Sequence, residues 1–353
     1  MQRQRLFIPG PVTVADEVLA AMARPMINHR GPEAAALLGR IETKLRPIFG
    51  TQGDVVVLGC SGTGGLEAAV ASAFSPGQRV LGCPVGVFGK RIAEIARTWG
   101  LALETIATEP GHAVDPQALA QRLRADAGGA IAGILLTHNE TSTGVQNDMA
   151  ALARAIGDHP ATVIVDSVSG LGASEFRMDE WGFDAVVTAS QKALAVPPGA
   201  AMVAVSARGW ERMAAATGSR FYLDLVRAHT FARDGGTPWT PPLSILFALD
   251  VALDRYHAEG APHAWARHAR NAEAIRAFAQ AAGLRVFSQP NAHSVTVVAI
   301  AAPDGIDAST VIKELRERHG VVLGGGQADL KGKIFRMGTM GDITADDVLA
   351  ALA

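Results

Sequence analysis

The stretch Val55-Val56-Val57-Leu58-Gly59-Cys60-Ser61-Gly62-Thr63-Gly64-Gly65-Leu66-Glu67 reads as an apolar extended run, a turn of small residues and the first turn of a helix. β-Branched residues suit a pleated strand, and small residues let the chain reverse closely onto it. Working outward, the same unit recurs. Apolar periodicity predicts helices over 34–49, 65–74, 86–99, 116–125 and 149–157, and strands over 54–58, 79–81, 102–106, 132–136 and 162–165. Repeated β-then-α units of this size require a mostly parallel sheet covered by helices on both faces, so the class is α/β. Strand-like runs at 185–189 and 201–205 follow, after which the rhythm changes.

Residues 234–242, Asp-Gly-Gly-Thr-Pro-Trp-Thr-Pro-Pro, interrupt both periodicities and mark a candidate domain junction. The expected division is an N-terminal arm over 1–15, a large domain over 16–242 and a smaller α+β C-terminal domain over 243–353. Within the last, helices are expected over 243–257, 264–282 and 308–319, and strands over 284–287, 294–299 and 334–337.

Composition narrows the function. With 48% hydrophobic and 19% charged residues among 353, and a mean hydropathy of +0.18, the chain can bury a large core and is not a disordered protein. A net charge of −2 without a Lys/Arg run argues against a nucleic-acid partner. No stretch reaches 18 apolar residues, so no membrane span is expected. The basic start, Met1 to Leu6, leads into Pro9-Gly10-Pro11 rather than an apolar signal core, and Ala351-Leu352-Ala353 is not the peroxisomal Ser-Lys-Leu. Two cysteines, Cys60 and Cys83, point to a reducing, cytoplasmic setting without a disulfide framework.

Three motifs carry chemistry. Ser61-Gly62-Thr63-Gly64 opens a helix directly after a strand, where converging N–H groups and two hydroxyls suit a phosphate; a plain glycine turn is the alternative. It is not a dinucleotide fingerprint, because Glu67 stands where the third glycine belongs. Gly86-Val87-Phe88-Gly89-Lys90-Arg91 imitates a P-loop, but Pro84 and Arg91 stand where a glycine and a Ser/Thr are needed. Phe88 is better placed as an aromatic plate for a flat ligand.

Val163-Ile164-Val165-Asp166 is a strand ending in a carboxylate, and ligands of open parallel sheets gather at such ends; a turn or cap acid is the other reading. Ser190-Gln191-Lys192-Ala193-Leu194 sets a lysine among apolar residues, where desolvation depresses its pKa unless it snorkels to solvent. An unperturbed lysine offers roughly one neutral amine in 2,500 at pH 7, a handicap of about 4.6 kcal/mol for attack on a carbonyl. A phosphate cradle, an acid about 100 residues on and a lysine beyond it are what pyridoxal 5′-phosphate requires. The acid keeps the pyridine nitrogen protonated and the lysine supplies the imine. His29 and His138 lack partners at metal-ligand spacing, so no metal site is expected.

The chain resembles the class V, fold type I aminotransferases, most closely the alanine/serine–glyoxylate group. The likeness runs through Pro9-Gly10-Pro11, His29-Arg30-Gly31-Pro32-Glu33, Ser61-Gly62-Thr63-Gly64, His138-Asn139-Glu140-Thr141-Ser142-Thr143-Gly144, Asp166-Ser167-Val168, Ser190-Gln191-Lys192, Thr240-Pro241-Pro242 and Phe335-Arg336-Met337-Gly338. The resemblance implies Lys192 as the Schiff-base lysine and Asp166 as partner of the pyridine nitrogen. It implies Ser61, Gly62, Thr63 and Gln191 around the phosphate, with Thr240 reaching it from the second subunit of a homodimer. Phe88 and Val168 would face opposite sides of the ring, Thr141 would lie near its hydroxyl, and Arg336 would grip the substrate carboxylate. Thr63 stands where some relatives carry His, and Thr237 and Trp239 occupy a segment where relatives often place Tyr. The implied reaction is ping-pong transfer of an amino group from a small amino acid, alanine or serine, to a 2-oxo acid, glyoxylate or pyruvate. A 2-aminoethylphosphonate–pyruvate aminotransferase is the nearest alternative, and a catalytically silent scaffold of the same fold is another. A cysteine desulfurase is disfavoured because both cysteines precede Lys192.

Overall fold

The computed structural model describes residues 5–353; the first four residues of the expected arm lie outside it. Seven strands form the main sheet in the spatial order Asp54–Leu58, Ala201–Val205, Ala185–Ala189, Thr162–Asp166, Ile131–Thr137, Arg79–Gly82 and Ala102–Thr105. Only Ala201–Val205 runs antiparallel to its neighbours. Both faces are covered, which is why the central strands read as unbroken apolar runs. In Thr162–Asp166, Val163 and Val165 enter one hydrophobic core and Ile164 the other.

The unit that opened the sequence reading folds as a strand, Asp54–Leu58, and a helix, Gly62–Ala73. The helix starts three residues earlier than its apolar periodicity indicates, because the glycines let it lie directly on the sheet. A Cβ on Gly65 would stand 2.8 Å from Val187 Cγ1 and 2.9 Å from Ala201 Cβ.

A second sheet carries Arg5–Phe7, Val321–Gly325, Ile334–Gly338 and Val297–Ala301 in that order, over a third core that includes Phe7, Ile275, Val298, Phe335 and Met337. Two features differ from expectation. Residues 5–7 of the arm are a strand of this small sheet, paired in parallel with Val321–Gly325. The helix Leu243–Glu259, expected to open the small domain, joins the large core through Leu246, Phe247, Leu249 and Leu253, together with Leu37, Ile41 and Leu45 of the helix Pro32–Phe49. A Pro/Gly-rich junction interrupts an element without deciding where the next one packs.

Smaller differences follow from weak local patterning. Residues 284–287 make a single bridge, Val286 to Ile300, rather than a strand. The helices Ala207–Ala215 and Leu225–Arg233, nine residues each, and the five-residue strand Val321–Gly325 are not expected from the sequence.

Gly65→Val would overpack the helix against the sheet. The expected loss is about 1–3 kcal/mol in denaturant unfolding; unchanged stability would mean that the helix does not need this close approach.

Candidate active site

The strand ends Asp166 and Thr137 lie side by side in register, and Ala189 closes the next strand three residues before Lys192. The chain after Ala189 turns tightly: Val196 N–H donates to the Ser190 carbonyl at 3.0 Å, Ser190 Oγ to the Pro197 carbonyl at 2.8 Å, and Ala195 sits at φ +51°. This turn aims Lys192 inward. Its Nζ donates to the carbonyl of Pro9, on the arm that crosses above it. Gly10 suits this crossing because its φ of +102° is a conformation that residues with a Cβ rarely adopt. Desolvation is the main reason the Lys192 pKa falls from 10.5 to about 8, with the Arg336 and Arg91 charges pushing the same way and Asp166 opposing.

Asp166 is buried, and burial pushes its carboxyl up to about 7, with the nearby Glu140 charge adding to the rise. The Val168 N–H, at 3.0 Å from Oδ1, and the charges of Lys192 and Arg91 pull it down. The acid and the amine therefore share one desolvated pocket, each sensing the other's charge.

Ser61 occupies the N-cap of the helix Gly62–Ala73 yet makes no capping hydrogen bond with its side chain. The N–H groups of the first turn and a free hydroxyl thus face outward together, an arrangement that receives an anion. Gln191 adds a buried side-chain oxygen without a hydrogen-bond partner, and its amide can present either end to a ligand. Gly62 packs under Val168, whose Cγ2 lies 2.8 Å from where a Cβ would be. Anion donors, an apolar floor at Val168, an acid and a desolvated amine match the parts of pyridoxal 5′-phosphate, so these residues fit that cofactor.

The opposite wall is built around Glu140, which sequence reading quoted without assigning a role. Its buried carboxylate accepts from the N–H groups of Phe88 at 3.0 Å and Gly89 at 2.9 Å, and from Ser142 Oγ at 2.6 Å. It thereby caps the helix Val87–Thr98 and fixes the Phe88 ring at the helix start. Arg336, on the strand Ile334–Gly338, is buried and bonds the carbonyls of Gly325 and Thr141, each at 2.8 Å. Burial depresses its pKa, and the Glu140 charge opposes that shift.

Lys192 thus senses the charges of both Asp166 and Arg336; Gln191 precedes it in the chain, and Val168 lies two residues after Asp166. Thr240 stands apart: it is exposed, and no hydrogen bond joins it to the cradle among the described residues. His138 is neutral and structural, its pKa lowered by burial to about 4 and its ring nitrogens facing Ser167 Oγ at 2.8 Å and Ser174 Oγ at 3.3 Å. No group of three or more potential metal ligands occurs among the described residues. Arg91 was also passed over; a cation one turn after the aromatic plate was the available signal.

The aminotransferase class-V family profile matches residues 14–340. The chain is 37% identical over 349 residues to a soluble hydrogenase 42 kDa subunit of Anabaena cylindrica, covering 99% of this chain and 91% of that one. It is 36% identical over 352 residues to an L-aspartate–glyoxylate aminotransferase of Paracoccus denitrificans, covering 99% and 89%. The crystal structure of an alanine–glyoxylate aminotransferase from Nostoc superposes with a TM-score of 0.94 at 29% identity, covering 100% of this chain and 95% of that one.

Two outcomes test this geometry. Glu140→Ala strands the N–H groups of Phe88, Gly89 and Ser142 and should cost about 1–3 kcal/mol of stability, while Glu140→Gln, which keeps an acceptor, costs less; equal stability of all three proteins would dismiss the cap. The cofactor-free chain should capture pyridoxal phosphate at a rate that rises with pH about a midpoint near 8, because only the neutral amine of Lys192 attacks. A midpoint near 10.5 would mean that this amine is solvated.

Proposed function

The chain belongs to the class-V aminotransferases, pyridoxal-phosphate-dependent transaminases, and from that premise we propose that it moves an amino group from alanine or serine to glyoxylate or pyruvate. The observation that carries the mechanism is the desolvated pair Lys192 and Asp166 at neighbouring strand ends. Relatives named for glyoxylate transamination, one matched in sequence and one in structure, support glyoxylate as the acceptor.

Lys192 would hold the cofactor, and its amine, when free, is the base that would take up the proton from the substrate's Cα. Asp166 keeps a proton at the ring nitrogen, because a carboxylate beside a pyridine favours the cation. The bound cofactor supplies an electron sink for the charge that develops at Cα. Arg336 orients the substrate: two of its nitrogens are held by backbone carbonyls, so its plane is set before the carboxylate arrives. The Pro9–Pro11 arm lies over Lys192 and shields the pair from water. Ser61, Gly62, Thr63 and Gln191 hold the phosphate, Phe88 and Val168 flank the ring, and Thr141 lies beside the ring hydroxyl.

Thr240 serves the site of a second subunit in a homodimer. It is exposed, and the adjacent Trp239 packs on Phe221, 66% exposed, and Tyr222, 50% exposed, an aromatic surface of the kind that subunit contacts cover. Both cysteines are free, which accords with a cytoplasmic setting, and no helix among the described residues is long and apolar enough to cross a membrane. A primary-amine donor such as 2-aminoethylphosphonate would leave Arg336 without a carboxylate partner, which favours amino acids.

A half-reaction screen by cofactor absorbance, with alanine, serine, aspartate and 2-aminoethylphosphonate as donors and glyoxylate or pyruvate as acceptor, decides the substrate. Fast conversion by alanine or serine and return by glyoxylate is expected; response to 2-aminoethylphosphonate alone would overturn the reading. Lys192→Ala should lower turnover by about 10²–10⁴-fold, and wild-type turnover in that variant would dismiss its role.

A further inference from the structure

The cradle of Ser61, Gly62, Thr63 and Gln191 presents a phosphate only with neutral donors. A phosphate monoester carries about −1.5 to −2 charges near neutral pH, whereas a helix N-terminus supplies roughly half a positive charge. More than one charge is left without a counterpart. Arg91, one turn into the helix Val87–Thr98, stands in the right place to provide it. Its Nη1 donates to Thr63 Oγ1 at 3.3 Å, and its guanidinium carbon lies 4.7 Å from the centre of the Phe88 ring. Both partners belong to the cofactor site as read above, one on the phosphate side and one on the ring side.

We propose that Arg91 is a binding residue for the cofactor phosphate, held over the cradle by its stack on Phe88 and its hydrogen bond to Thr63. This inference rests on the assignment of the cradle to pyridoxal phosphate. The charge of Arg91 already registers within the site, since it lowers the pKa values of both Lys192 and Asp166. Stacking on an aromatic ring holds the planar guanidinium with little loss of its donors, and a phosphate oxygen is the acceptor such a fork prefers. The Gly86–Arg91 segment, which imitates a P-loop in sequence, would thus contact a phosphate by a different device, a side-chain cation rather than a nest of backbone N–H groups.

The test compares cofactor-stripped wild type, Arg91→Gln and Arg91→Lys, titrated with pyridoxal phosphate and with pyridoxal, which lacks the phosphate. Arg91→Gln should weaken pyridoxal phosphate binding by about 10- to 100-fold, the effect of removing a charged hydrogen bond, and leave pyridoxal binding unchanged. Arg91→Lys should restore most of the loss. In the loaded wild type the phosphorus resonance should stay that of the dianion from pH 8 down to pH 6, and in Arg91→Gln it should titrate within that range. Equal losses for both vitamers would mean that Arg91 acts only by supporting Phe88, and an unchanged dissociation constant would likewise overturn the inference. If wild type captured neither vitamer, the cofactor reading beneath it would fall as well.

Discussion

An amine and a carboxylate kept from water in the same pocket are the constraint on which the rest of the structure depends. Either charge alone would be costly to bury; burial disfavours both charged forms, and each charge favours the other. Much of the surrounding fold serves to hold this pair apart from solvent. The parallel sheet brings the strand ends together, the turn after Ala189 points the lysine inward, and the arm closes above it.

That arm explains why the two sheets act as one framework. Arg5–Phe7 is a strand of the small sheet, and the next residues run directly to Lys192. Gly338 permits the crossing, since a Cβ there would lie 2.4 Å from the Ile8 carbonyl. The strand that carries Arg336 is therefore packed on the segment that covers the reactive amine. A displacement of the small sheet would alter both together.

A second connection is polar and buried. Asn139 Nδ2 donates to Ser169 Oγ and Thr296 Oγ1, each at 2.9 Å, and its Oδ1 accepts from Ser294 Oγ at 2.6 Å. This network ties the end of the strand Ile131–Thr137 to the approach of Val297–Ala301. Beside it, Glu140 sets the plate and Thr141 sets the arginine through its carbonyl. Buried polar groups that are fully paired in this way give a single geometry rather than added stability. The run from His138 to Gly144 is thus a scaffold that holds Phe88 and Arg336 in place.

Sequence alone determined the alternation of strands and helices, because buried parallel strands are continuous apolar runs and their helices carry period-3.6 faces. It also marked Asp166, Lys192 and the Ser61–Gly64 turn, since each alone has an ordinary structural use but the three in this order match the needs of one cofactor. The roles given to Thr141 and Arg336 came from resemblance, not from local pattern. Tertiary structure decided what touches across long separations. The arm's place in the small sheet, the helix Leu243–Glu259 on the large core, the cap by Glu140 and the position of Arg91 over Thr63 each join residues whose separation no local periodicity encodes. Periodicity reports which face of an element is apolar, whereas the identity of the surface it meets is settled only when the whole chain packs.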